Sequence, residues 1–262
     1  MPWFDAGVNL TNSSFADHHE QVLQRAAAAG VSRMVVIGTC LQSSREAVQL
    51  AERYPQQLVA TVGIHPHDAA GVSDTYIAEL RELAAHPLVR AIGECGLDFN
   101  RNYSPPEQQL QVFREQLDLA AQLQLPVYLH ERDALTQQLQ LLNEFADKIP
   151  RLLTHCFTAG REALEKYLQL GCYIGITGWI CDERRGDELR QAVKHIPADR
   201  LLLETDGPFL LPRTLKPKPK SRVNEPAHIP HIAGVVAALR EQPVAQLEQQ
   251  CWHNSLTFFG TE

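Results

Sequence analysis

The sequence predicts an α/β fold of the (β/α)8 TIM-barrel type, on three observations. Short apolar runs suited to buried strands alternate with amphipathic stretches suited to helices along the whole chain. Eight such strand–helix units fit into 262 residues, the count and size of a barrel. Residues able to do chemistry stand directly after the apolar runs, on the side where a barrel gathers its active site. A doubly wound open sheet is the runner-up. It lacks its usual sign, a glycine-rich dinucleotide loop after the first strand. No long linker interrupts the alternation, so residues 1–262 read as one domain.

Taken in order, Trp3–Leu10 reads as the first strand. His18–Ala29 spaces Val22, Leu23, Ala26 and Ala27 as a helix does, and Gly30 is a natural stop. Met34–Gly38 is a buried-strand run and Ser44–Tyr54 a helix. Leu58–Ile64 is a strand ending in His65-Pro66-His67, followed by a helix at Tyr76–Ala85. Val89–Gly93 is a strand that stops abruptly at Glu94. Pro105–Leu123 is a long amphipathic helix, with its prolines at a tolerated start. Val127–Leu129 ends in His130, and Ala134–Phe145 is helical. Arg151–Thr154 ends in His155. Arg161–Leu170 is a helix stopped by Gly171, and Cys172–Ile176 is a strand. Gly186–His195 is a short helix. Leu201–Glu204 is the eighth strand and leads into Thr205-Asp206; His228–Arg240 and Val244–Phe258 are the closing helices.

With 24 basic and 31 acidic side chains, the net charge of −7 does not suit a dedicated duplex-DNA binder. It does not exclude an enzyme that engages nucleic acid briefly through a metal. The basic residues concentrate in a proline-rich loop, Pro212–Pro226, which carries Arg213, Lys216, Lys218, Lys220 and Arg222. That loop reads either as a solvated surface or as an anion-binding rim. The six scattered cysteines form no C-x-x-C pair and read as reduced thiols of a cytoplasmic protein. The start MPWFDAGVNL has neither a basic nor an apolar leader region, and no apolar run approaches a membrane span.

An acid at the end of a buried strand is costly unless a metal, a cation or several donors face it. Glu94 therefore poses the question of what charge it meets. Collected by strand end, the polar residues are Asn9, His65, His67, Glu94, His130, His155 and Asp206. One glutamate, two histidines and one aspartate make a competent ligand set for a divalent ion. Asp206 is the candidate to orient or deprotonate an attacking water. Glu204 reads either as a partner of a metal-bound histidine or as an interior acid. His65 and His67 can donate to phosphate oxygens, and Arg132 can hold a nucleic-acid backbone by charge. Phe99, Tyr103, Trp179 and Phe209 are aromatics near the rim that could stack unpaired bases.

The chain resembles the TatD-type metal-dependent deoxyribonucleases, within the amidohydrolase-like barrel enzymes. The resemblance runs from Phe4 to Phe259 and is carried by GIHPH (63–67), AIGECGLDF (91–99), LPVYLHERDA (125–134), THCFTAG (154–160), YIGITGWICDERRG (173–186), LLLETDGPFLLPR (201–213) and RVNEPAHIPHI (222–232). It implies that the metal ligands are Glu94, His130, His155 and Asp206, with Glu94 and Asp206 at the chemistry. Most relatives carry H-x-H at the end of the first strand, where this chain has Gly7-Val8-Asn9. One firmly held ion on Glu94, His130 and His155 is therefore expected, with a weaker second site near Asp206. Fewer imidazoles favour magnesium, with manganese and zinc as alternatives. The resemblance further implies a monomeric 3′–5′ exonuclease of single-stranded DNA, with RNA a second substrate, in repair of oxidative damage or in DNA degradation. The alternative is hydrolysis of a small amide, ester or lactone on the same barrel, since metal–water chemistry serves carbonyl and phosphoryl centres alike.

Overall fold

The computed structural model describes residues 2–261. Its strands are β1 (Trp3–Val8), β2 (Val31–Val36), β3 (Leu58–Val62), β4 (Val89–Asp98), β5 (Val127–Arg132), β6 (Leu152–Thr154), β7 (Tyr173–Ile176) and β8 (Leu201–Leu203). Between and after them come α1 (His19–Ala28), α2 (Leu41–Arg53), α3 (Tyr76–Ala84), α4 (Pro106–Leu123), α5 (Leu135–Phe145), α6 (Arg161–Gln169), α7 (Asp187–Ala192), α8 (Ile229–Leu239) and α9 (Val244–Phe259). The eight strands form one sheet in sequence order. The pairs β3–β4, β4–β5, β5–β6 and β7–β8 are parallel. The last strand returns to the first: Asp206 N–H donates to Gly7 O (2.9 Å) and Asn9 N–H to Gly207 O (2.8 Å). This is a (β/α)8 barrel. Its chain falls into two compact units, Val36–His155 with Lys166–Tyr173, and Met1–Val35 with Cys156–Glu165 and Ile174–Glu262.

In the first of these units, every residue of β3 is buried, as a strand covered on both faces must be. β4 is longer than its apolar run suggests: it continues through Glu94 and two glycines to Asp98. Gly93 and Gly96 have φ of +136° and +144°, conformations that side chains avoid. A Cβ at Gly96 would lie 1.9 Å from His130 O, and one at Gly93 2.3 Å from Tyr128 O. The glycines thus let β4 press against β5. The register slips between Ile92 and Cys95, then runs Gly96 to His130 and Asp98 to Arg132. Such an irregularity re-aims the side chains beside it, and Glu94 is one of them.

Three buried glutamines peg the strand ends to the helices. Gln116 of α4 accepts from Ile64 N–H (2.8 Å) and donates to Ile64 O (3.1 Å). Gln109 does the same for Asp98, at 2.8 and 3.0 Å. Gln138 of α5 accepts from Leu97 N–H at 3.1 Å. Each satisfies backbone groups where the sheet ladder ends, which burial would otherwise make costly.

In the other unit, Phe4 of β1 stacks on Phe259 of α9, centroids 5.7 Å apart. Leu247, Cys251 and Phe258 complete the buried face of α9. Asp5 is fully buried and accepts from Thr205 N–H (2.9 Å), Thr205 Oγ (2.5 Å) and Gly7 N–H (3.2 Å). Burial pushes its carboxyl up to about 7 against these hydrogen bonds. The predicted helix at Gly186–His195 is shorter, because α7 ends at Ala192 and a 3-10 turn covers Val193–His195.

Candidate active site

Four imidazoles and two acids gather at the ends of β3 to β6. Glu94 is buried, and its Oε1 is the focus: His130 Nδ1 lies 3.0 Å away, His65 Nε2 3.5 Å and His155 Nε2 3.8 Å. Burial alone would raise the Glu94 carboxyl. The neighbouring imidazoles of His65 and His155 and the hydrogen bond from His130 outweigh it, and the group is held well below the usual carboxylate range.

The histidines differ in their settings. His65 caps the 3-10 turn Pro66–Gly71, its Nδ1 accepting from His67 N–H at 3.1 Å. That fixes the proton on Nε2, which faces Glu94. Burial, and then the neighbouring His130, push His65 down to about 3, so it is a neutral donor. Burial also opposes charge on His130, but the adjacent Asp98 and Glu94 carboxylates raise it to about 9. His155 is buried, and its Nδ1 lies 2.7 Å from Tyr128 Oη. That contact turns Nε2 toward Glu94.

Asp98 is the acid that the strand-end inventory left out. Its Oδ2 lies 2.8 Å from His67 Nε2 and 3.4 Å from His130 Nε2. Burial raises its carboxyl, but His130, the Arg101 N–H and His67 together hold it well below the usual range. Asp98 is four residues after Glu94, so both lie on one strand face. The alternation would have revealed it had β4 been extended through Gly96. Tyr128, two residues before His130, shares its strand face by the same spacing, a signal the apolar run disguised. Arg132 is exposed at the end of β5, in register with Asp98.

This cluster suits a divalent cation. His65, Glu94 and His130 each offer a ligand atom, all within 4.8 Å of one another. His130 Nε2 is buried without hydrogen-bond geometry to any partner among the described residues. Imidazole nitrogens with a carboxylate oxygen are a donor set for a divalent metal.

The unit that carries β8 holds Asp206. Asn9 Nδ2 donates to its Oδ1 at 2.9 Å. Asn9 thus orients this aspartate. The Cys156 thiol lies within 4.8 Å of an Asp206 carboxylate oxygen. Asp206 and Cys156 have φ of +53° and +45°, a sparsely populated region that marks functional positions when the surrounding structure enforces it. Glu204 accepts the Cys156 N–H at 2.5 Å, in space that Gly175 leaves open. It therefore holds the backbone right after His155.

Residues 4–260 match the family model for TatD related DNase. The chain belongs to this family. A Klebsiella pneumoniae protein named 3′-5′ ssDNA/RNA exonuclease TatD is 51% identical, covering 99% of this chain and 98% of its own. A Pectobacterium atrosepticum protein of the same name is 50% identical, with 98% of each covered. Among solved structures, a TatD homologue from Escherichia coli k12 superposes with a TM-score of 0.89 at 30% identity, covering 98% of both chains. A TatD-family hydrolase from Entamoeba histolytica gives 0.89 at 28% identity, covering 99% of this chain and 98% of the other. The TatD family thus accounts for the chain from end to end, barrel included.

Proposed function

We propose that the chain is a metal-dependent 3′–5′ exonuclease of single-stranded DNA, with RNA as a second substrate. Its divalent-ion ligands are Glu94, His130 and His155, with Asp206 as the further acid. The observation that carries this is the buried Glu94 oxygen facing three imidazoles. The substrate follows the names of relatives about half identical over the full chain. With Gly7 and Asn9 in place of two imidazoles, the donor set is harder and favours magnesium over zinc.

A bound divalent ion lowers the pKa of water and offsets the phosphate charge. Asp206, its plane set by Asn9, takes the proton of the attacking water. His65, neutral and carrying its proton on Nε2, donates to a phosphate oxygen. His67 commits Nε2 to Asp98, so its share in substrate binding is to brace the rim. Arg132, exposed at the end of β5, holds the backbone of the incoming strand by charge.

The test is Glu94→Ala. The variant should keep its circular dichroism spectrum, lose calorimetric metal binding, and lose roughly a thousandfold or more in cleavage rate, the several kcal/mol a metal supplies. Full hydrolysis by that variant would remove both the metal centre and the mechanism.

A further inference from the structure

Beyond Asp98 the chain enters a loop, residues 99–104, that is exposed over residues 100–103 and fixed at both ends. Asp98 Oδ1 accepts the N–H groups of Asn100 (3.0 Å) and Arg101 (2.9 Å). The buried Ser104 hydroxyl donates to His67 O (2.8 Å) and accepts from Ala70 N–H (2.9 Å). Asn102 Nδ2 closes the middle of the loop on Phe99 O at 2.7 Å. The pins are therefore Asp98 and His67, the pair that stands against the histidine cluster.

Between these pins the loop presents Tyr103, 64% exposed. Its ring meets the His67 ring nearly at right angles, centroids 4.7 Å apart. Arg101 Nη1 donates to Tyr103 Oη at 3.3 Å. Among the described residues the Arg101 guanidinium has no carboxylate partner. A single exposed aromatic on a surface needs no explanation. One whose loop is hydrogen-bonded at both ends, that touches a histidine of the site and adjoins a cation without a carboxylate partner is pre-organised for a flat ligand bearing an anion. Trp179 is covered more closely: the Arg185 guanidinium lies 4.2 Å from its ring centroid, whereas Arg101 lies 6.0 Å from that of Tyr103.

We propose that Tyr103 stacks on the unpaired base of the nucleotide at the 3′ end, while Arg101 holds the adjacent phosphate. This rests on the exonuclease reading and names the subsite that grips the strand end. Stacking on an aromatic ring tolerates any base, because each has a π face, and it requires that the base be out of a duplex. The loop would thereby select frayed or single-stranded ends without reading sequence.

The experiment compares two oligonucleotides that differ only at the 3′ end, one with a natural nucleotide and one with an abasic tetrahydrofuran residue. Each is tested with the wild type, Tyr103→Ala, Tyr103→Phe and Tyr103→Trp. Cleavage is measured with magnesium, and binding by fluorescence anisotropy in chelator. Tyr103→Ala should lose about tenfold in kcat/KM and in affinity on the natural end, mostly through KM. On the abasic end it should match the wild type, which has itself lost the same factor. Phe and Trp at this position should restore the natural-end behaviour. Equal loss by Tyr103→Ala on both ends, or no loss on the natural end, overturns the stacking role while the nuclease stands. A folded wild type that releases no nucleotide with any divalent metal overturns the nuclease reading, and this inference with it.

Discussion

Tyr128 sits inside an apolar run, Val127-Tyr128-Leu129, and by composition passes for a core residue. Its hydroxyl on His155 Nδ1 gives it a different task, because it decides which nitrogen of His155 faces Glu94. Such partners of metal-binding histidines typically contribute 10- to 100-fold in affinity, in order-of-magnitude terms. Tyr128→Phe, which removes one oxygen from an otherwise packed ring, should weaken divalent-ion binding by about that factor with little change in Tm. Calorimetric titration checks it, and unchanged affinity would make the contact incidental. At this scale the histidines and Glu94 were legible, since a polar residue closing an apolar run stands out. Asp98 and Tyr128 were not, because their meaning lies in alternation along strands whose ends a glycine or an apolar neighbour disguised.

The site depends on elements whose sequence points the wrong way. A glycine usually ends an apolar run, yet Gly93 and Gly96 carry β4 onward by adopting positive φ where β5 comes closest. Gly96→Ala faces both strain and a Cβ 1.9 Å from His130 O. It should destabilise by about 3 kcal/mol, or roughly 6–12 °C in Tm, as overpacking and backbone strain of this kind do. Differential scanning calorimetry reads it directly, and an unchanged Tm would mean that β4 and β5 are free to separate. Gln109, Gln116 and Gln138 show the same limit of legibility. Glutamine on a helix reads as a solvated face, and here it is buried and hydrogen-bonded to a strand end. Boundaries differed for a related reason: β2 begins at Val31 and α2 at Leu41, each cut off from its apolar run by polar residues, Ser32-Arg33 and Gln42-Ser43-Ser44.

For the molecule as a whole, the barrel was legible because its periodicity repeats along the entire chain, and the resemblance to TatD proteins spans the same length. The charge distribution makes a further prediction. Lys216, Lys218 and Lys220 are exposed in the proline-rich loop of an acidic protein. Replacing all three by Gln should raise KM for single-stranded DNA by about tenfold at low salt, an effect that fades as salt rises. Cleavage of a small nitrophenyl phosphodiester should be spared. Equal loss on both substrates would assign the loop a structural role instead. The most direct measurement of all uses chelator-stripped protein with 3′-labelled and 5′-labelled single-stranded DNA, adding magnesium, manganese and zinc in turn. The proposed function predicts magnesium-dependent release of the 3′ label as mononucleotide, while the 5′ label shortens as a ladder. No cleavage by folded protein with any of the metals, or prior release of the 5′ label, would contradict it.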